Sequence, residues 1–293
     1  MIIQVPATSA NLGPGFDSCG VAVSRYLTIE VKEQQEAWYI EHQLGENIPT
    51  DETNLLLTTV RKICPSLQPH RLIMKSEIPL ARGLGSSSSV IVAGIELANQ
   101  LGKLKLDNQM KLELATAIEG HPDNVAPAIL GDFVVSAYFP ERTTRSVLSV
   151  KQSFPTCGVI AYIPKEELLT KTSRNVLPEA FPFKEAVEAS AIANVMVAAI
   201  VAGDLALAGE MMTADRWHEP YRDVLVPHLK KLKQNCLAWG AYACFLSGAG
   251  PTVLILTPVE QTDTIIEKLN KMSNNEAEII PLTIDRRGIK VSE

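Results

Sequence analysis

The stretch Pro79-Leu-Ala-Arg-Gly-Leu-Gly-Ser-Ser-Ser-Ser89 runs directly into Val90-Ile-Val-Ala-Gly-Ile-Glu-Leu-Ala98, and it restricts this chain more than any other segment. Gly83 and Gly85 leave the backbone bare on either side of Leu84, so N–H groups there can approach a ligand closely. Four serines then stand where apolar residues begin to recur at helical spacing. The first amides of a helix are unpaired donors at the positive end of its dipole. Loop and helix start together make a phosphate cradle. The serine hydroxyls can add hydrogen bonds or a hard oxygen ligand for Mg²⁺. Two commoner phosphate motifs are absent. No lysine follows the glycines as a P-loop requires, and Ser88 stands where the dinucleotide fingerprint needs its third glycine.

Charge and cysteine usage narrow the class further. A net charge of −6 without any basic run argues against nucleic acid as a partner, yet leaves ATP open, since a site needs only local positive potential. Cys19, Cys64, Cys157, Cys236 and Cys244 are odd in number and form no C-x-x-C pair. Neither a zinc site nor a disulfide framework is indicated; reduced thiols in a cytoplasmic enzyme are expected. Met1 to Pro6 lack the charged and apolar regions of a signal peptide. The most apolar window, 189–203, contains Ser190 and Asn194, is too short to span a bilayer, and reads as a buried Ala-rich helix. No membrane association is expected.

At 293 residues the chain suggests two domains. Strand patterns occupy 20–32, 72–78, 133–138 and 158–163. Asp107 reads as the N-cap of a helix reaching Ile118, with Met110, Leu114, Ala117 and Ile118 on one face. The polar connection 140–153 is the expected boundary, giving domains 1–150 and 151–293. The second half predicts a long helix from Lys184 interrupted at Gly203-Asp204, then a helix over 226–239. Strands at 243–246 and 253–256 flank a glycine-rich loop, and a helix over 261–272 and a final strand at 278–282 follow. This order suits an α+β sandwich of ferredoxin-like type.

Three segments carry a resemblance. Val5-Pro-Ala-Thr-Ser-Ala-Asn-Leu-Gly-Pro-Gly-Phe-Asp17 resembles the opening signature of the GHMP small-molecule kinases. The cradle resembles their second motif, P-x-x-x-G-L-G-S-S, and Ser247-Gly-Ala-Gly-Pro-Thr252 resembles their third, glycine-rich one. Within that superfamily, Thr8 to Asp17 and Glu119-Gly-His-Pro-Asp-Asn-Val-Ala-Pro127 are similar to the homoserine kinases. The resemblance implies an α+β, two-domain GHMP kinase fold. Its N-terminal domain would be ribosomal-protein-S5-like and bind ATP, and its C-terminal domain would be ferredoxin-like. It also implies γ-phosphoryl transfer from ATP, with Mg²⁺, to the side-chain hydroxyl of L-homoserine in threonine biosynthesis, by a homodimer. Two rivals stay open: another alcohol acceptor such as mevalonate, or a non-catalytic nucleotide- or amino-acid-binding sensor.

The resemblance also distributes roles. The nucleotide falls to Pro79, Arg82, Gly83, Leu84, Gly85, Ser86, Ser87, Ser88 and Ser89, with Asn54 near the base. Thr-Asn before an apolar helix is equally an ordinary cap. The metal falls to Ser87 and to Glu113, eight positions before His121. An amino-acid acceptor needs an anion for its ammonium and guanidinium groups for its carboxylate. Asp17 suits the first, Arg174 and Arg222 the second, with Asn11, Thr170 and His121 on further substrate-contact positions. The catalytic set is then Glu113, His121 and Asn124. Asn124 stands where mevalonate-type kinases carry an aspartate base, directly after Asp123. An amide accepts no proton at physiological pH. The reaction is therefore expected to run on positioning and charge stabilisation without an obligate general base. The His121 ring either meets the substrate or satisfies a loop carbonyl.

Overall fold

Two sheets organise the chain in the computed structural model, which describes residues 1–293. The first half supplies β1 (Ile2–Ala10), β2 (Cys19–Gln34), β3 (Tyr39–Glu41), α1 (Leu55–Ile63), β4 (His70–Ser76), α2 (Ser86–Gly102), α3 (Asn108–Glu119), α4 (Val125–Leu130), β5 (Phe133–Tyr138) and β6 (Val147–Gln152). The second half supplies β7 (Gly158–Pro164), α5 (Thr170–Arg174), α6 (Phe183–Ala202), α7 (Leu205–Thr213), α8 (Glu219–Arg222), α9 (His228–Ala238), β8 (Ala243–Leu246), β9 (Val253–Thr257), α10 (Thr262–Ser273), β10 (Ala277–Leu282) and β11 (Lys290–Ser292).

The first sheet runs β11-β1-β2-β4-β3, with β5 joined to the start of β2 and β6 to β5; only β3–β4 is parallel. The apolar helix α2 packs against β1, α1 and α3 and is buried at Ser88, Ser89 and from Ile91 to Asn99. The second sheet is antiparallel in the order β10-β7-β9-β8. That order, with α9 and α10 as its crossover helices, is the ferredoxin-like arrangement. Alternate residues of its strands serve two cores. Val159, Ala161, Phe245 and Leu254 join a core continuous with the first sheet, while Ile160, Cys244, Leu246 and Ile255 pack with α9 and α10.

Several expectations need correction. A boundary at 150/151 cuts through β6, which occupies the connection expected to be polar linker. It is exposed on both faces, at Val150 and Lys151, so its composition mimics a loop. The second domain does not keep the remainder of the chain, because β11 returns to pair with β1. Asp107 caps α3 by accepting from the Met110 N–H, but the buried residues are Leu112, Ala115 and Thr116, and Met110 is exposed. The α6 helix is long and apolar enough to cross a membrane, and it is not a buried helix. Ala189, Met196, Ala199 and Ile200 face the core, while Phe183, Val187, Val195 and Val201 face outward.

Candidate active site

The phosphate loop is shaped by close backbone contacts. Gly83 and Gly85 have φ of +78° and +71°, and a Cβ at Gly85 would lie 2.1 Å from Thr8 Oγ1. At Gly83 it would lie 2.3 Å from the Ser247 carbonyl oxygen, so the turn admits only glycine at both positions. Leu84 is wholly buried and anchors the loop. Ser89 N–H makes the first bond of α2, to the Gly85 carbonyl, leaving the amides of Ser86, Ser87 and Ser88 without helical partners. Ser89 is buried and bonds back to the Ser86 carbonyl.

These amides face a cavity of about 220 Å³ whose walls include Gly83, Gly85, Ser86 to Ser88, Glu119, His121, Asp123, Asn124, Asn11, Asp17, Thr170, Arg174 and Arg222. A second recess of about 410 Å³ shares Ser86 and Ser87 and is walled by Asn54, Ile48, Pro49, Met74 and Val90. Asn54 is both cap and wall, since its Oδ1 accepts from Leu56 N–H and its Nδ2 donates to the Pro49 carbonyl.

The acceptor end is charged in both senses. The turn after β1 holds Asn11 and Asp17 at φ of 73° and 53°. Asn11 Oδ1 accepts from Asp17 N–H and its Nδ2 donates to the Gly248 carbonyl, joining the first motif to the third. Arg174, ending α5, donates from both Nη atoms to the Asp17 carboxylate at 2.6 and 3.0 Å. Arg222, ending α8, is only 2 % exposed; burial, with Arg174 alongside, brings it down to about 10, so it stays cationic at neutrality. Both guanidinium groups lie over the Phe16 ring, at 5.4 and 5.5 Å.

Between the two ends lie His121, Asp123 and Asn124. His121 Nδ1 donates to Asp123 Oδ1 at 2.5 Å, and Asn124 N–H donates to the same oxygen. Burial pulls the His121 pKa down, but the Asp123 bond and charge outweigh it and the net shift is upward. Asn124 Oδ1 accepts the Thr8 hydroxyl at 2.8 Å.

The Ser87–Glu113 pair and the loop residues Arg82 and Pro79 have surroundings other than those expected. Glu113 does not line the cavity; it accepts from Gln109, which also donates to the Val147 carbonyl of β6. Glu119 does line it, and its Oε1 accepts from the Ser88 hydroxyl at 2.8 Å. Six residues along a helix turn a side chain by about 240°, so the two glutamates point to different faces of α3. Ser88 is buried against Glu119, whereas Ser87 is exposed, so the hydroxyl–carboxylate pair is Ser88–Glu119 rather than Ser87–Glu113. Arg82 lines neither recess. It donates to the carbonyls of Leu80, Pro164 and Lys165 and pairs with Glu167, clamping the loop to the end of β7. Pro79 opens the loop and lines neither recess. Motif reading also missed Phe16, Glu119 and His218. Glu119 opens one of the stretches that carry the resemblance, and only a helix drawn through it shows which glutamate faces inward.

A phosphate cradle opposite a pocket with both charges, on facing domains, defines a small-molecule phosphotransferase. The family models for the GHMP kinases N-terminal domain and the GHMP kinases C-terminal region match residues 54–132 and 196–275. The chain is 60% identical to a homoserine kinase of Enterococcus faecalis over 99% of this chain and 100% of that one. It is 53% identical to a homoserine kinase of Listeria innocua over 99% of each. The crystal structure of homoserine kinase from Cytophaga hutchinsonii superposes with a TM-score of 0.85 at 29% identity, covering 100% of this chain and 97% of that one. The chain belongs to the GHMP kinases and is an enzyme.

Proposed function

We propose that the chain transfers the γ-phosphoryl group of ATP to the side-chain hydroxyl of L-homoserine, giving O-phospho-L-homoserine and ADP. The observation that carries this reading is the pocket of Asp17, Arg174 and Arg222 facing the phosphate cradle, which matches an ammonium and a carboxylate on one small molecule. The names of the full-length relatives agree with it. The amides of Ser86 to Ser88 receive phosphate oxygens at the α2 N-terminus, and the recess beside Asn54 takes the nucleotide's base. Ser88 and Glu119 offer the hard oxygens that suit Mg²⁺, which would neutralise charge on the phosphates.

In the transfer, the acceptor oxygen bonds to the γ-phosphorus while the bond to the β,γ-bridging oxygen breaks, its electron pair leaving with ADP. The acceptor proton passes to a γ-phosphate oxygen or to water. Asn124, in the cavity wall, is an amide and cannot take it, and the cavity carboxylates already accept hydrogen bonds: Asp17 from Arg174, Asp123 from His121 and Glu119 from Ser88. His121 donates from Nδ1 to Asp123, whose hydrogen bond and charge raise its pKa above the ordinary imidazole value. Positioning and electrostatics thus supply the rate.

The test is ADP release with MgATP against L-homoserine, mevalonate, galactose and L-serine, each beside a control lacking acceptor. Turnover on L-homoserine alone is expected. Turnover on mevalonate or galactose instead would remove the assigned acceptor, and ATP binding without turnover on any would restore the sensor reading.

The same proposal includes a homodimer built on the outward face of α6, where Phe183, Val187, Val195 and Val201 form an apolar stripe. Sedimentation should give a dimer that Val195→Asp dissociates; a monomeric wild type would end this part. The five free thiols and the need for ATP fit a cytoplasmic enzyme. Cell fractionation should recover it with soluble protein, and recovery with membranes would contradict that placement.

A further inference from the structure

Behind the acceptor pocket, at the start of α8, His218 is 0% exposed, and its two ring nitrogens have different partners. Nε2 lies 2.9 Å from the Gly13 carbonyl oxygen, and Nδ1 lies 2.9 Å from Arg222 Nη1. A carbonyl can only accept and a guanidinium can only donate. Nε2 therefore carries the proton and Nδ1 offers its lone pair. The other tautomer would oppose lone pair to carbonyl and N–H to N–H, and an imidazolium would turn a second donor on Arg222. Burial favours the neutral ring. It lowers the His218 pKa to about 4, against the pull of the Asp215 carboxylate and with help from Arg222 and Lys233.

Arg222 is fixed on the opposite side as well. Its Nε donates to the Ser173 carbonyl at 3.1 Å, and Nη1 also donates to the Gly248 carbonyl at 3.0 Å. Three of its five N–H groups are thus engaged, and the Nη2 pair donates to no protein group while the side chain lines the cavity. Phe16 stacks on the His218 ring, centroids 5.3 Å apart, and presents its face to Arg222. One imidazole thereby touches the loop carrying Asn11, Phe16 and Asp17 and the guanidinium beyond it.

We propose that His218 is a positioning residue for acceptor recognition. Protonated at Nε2, it ties the Gly13 loop to Arg222 and aims the free Nη2 edge of that guanidinium at the acceptor carboxylate. This rests on the reading of Arg222 as a carboxylate contact. It differs from simple space-filling, because each ring nitrogen has a separate task.

Two substitutions separate those tasks. His218→Asn places an amide oxygen near the Nδ1 position, keeping the acceptor for Arg222 and losing the Gly13 link. His218→Gln places an amide nitrogen near Nε2, keeping the Gly13 link and leaving Arg222 Nη1 one acceptor short. Both lose the ring and its stacking on Phe16. His218→Gln is expected to raise KM for L-homoserine roughly tenfold, the scale of one hydrogen bond to a charged group. Its kcat and KM for ATP should stay near wild type. His218→Asn should recover most of that KM at a similar loss of Tm. Equal rises in KM, or rises that follow the loss of Tm, would overturn the relay. Nitrogen NMR of the wild-type ring reads the tautomer without any substrate. A neutral ring protonated at Nε2 from pH 5.5 to 8 is expected, and a ring protonated at Nδ1, or one titrating near its ordinary pKa, would overturn the relay. A wild type inactive on L-homoserine overturns the acceptor reading and the aim of Arg222 with it. An active wild type whose two variants behave alike overturns the relay alone.

Discussion

Glu119 and Glu113 sit on one helix and differ in what a single carboxylate can reach. Glu119 meets the Ser88 hydroxyl at the cavity wall, and Glu113 is bound to Gln109 on the side of β6. Glu119→Gln removes the charge beside the phosphates while keeping the shape. It should depress kcat by several kcal/mol of transition-state stabilisation and raise the Mg²⁺ requirement. Glu113→Gln should leave both near wild type. Titrating turnover against Mg²⁺ in the two variants decides, and a reversed pattern would return the metal to Glu113. At the same scale, His218 gives the fold an acid sensitivity. Its pKa falls from 6.5 to about 4 in the folded chain, burial first, so between those values the unfolded chain binds more protons. Stability from this residue is complete above about pH 6.5 and is lost as the pH falls toward 4. Asp215 lies 3.7 Å from Nε2, with Arg222 and Lys233 close by; all three remain in His218→Asn, so the comparison isolates the ring. Urea midpoints should show the advantage of wild type over that variant shrinking from neutral pH toward pH ~4.5. A difference independent of pH would mean that the ring does not titrate in this window.

Elements carry the next level, and Arg82 shows how. It belongs by sequence to the phosphate loop, yet its guanidinium is taken up by carbonyls at the end of β7. Leu168 N–H donates to the Ala81 carbonyl, and the Ser247 hydroxyl donates to the Gly83 carbonyl, so the loop is held from the other domain at several points. Arg82→Ala should cost about 1–3 kcal/mol in stability and raise KM for ATP more than KM for the acceptor. Steady-state kinetics with each substrate varied would check it, and a selective rise in acceptor KM would refute the clamp. Such a role is not visible in the chain, where Arg82 is one more residue of a motif. What was legible has a common cause: the glycine turns, the capping Asp107 and the strands of the second sheet depend on neighbours in sequence. What was not legible depends on what lies opposite. The same Ala-rich pattern describes a buried helix and the half-exposed α6. A polar edge strand such as β6 reads as linker. The buried face of α3 turns on its neighbours α2, α4 and β6. Likewise Asp17 and Arg222 were legible as charges in motifs, but the tautomer of His218 exists only once Gly13 and Arg222 are on either side of it.

The whole molecule joins two domains through one core rather than through a linker. The larger apolar cluster runs from Ile3, Val5 and Leu84 of the first half to Met196, Ala208, Phe245 and Leu254 of the second. Polar ties reinforce it: the Ser9 hydroxyl donates to Ser247 Oγ, whose own proton goes to the Gly83 carbonyl, and Asn11 donates to the Gly248 carbonyl. The chain then crosses back, as β11 covers the β1 edge and Arg286 pairs with Asp132. Two-domain proteins commonly unfold in separate steps. A core shared in this way leaves neither half able to lose its fold without exposing the apolar face of the other. Calorimetry should therefore give a single transition whose measured enthalpy equals the van't Hoff value. Removing residues 286–293 strips β11 and Arg286, and should lower that one transition without splitting it. Two resolved peaks in the full chain would mean that the halves fold independently. The active site would then be assembled by docking, and the precision of the Asp17–Arg174 contact would have to come from the ligand instead of the core.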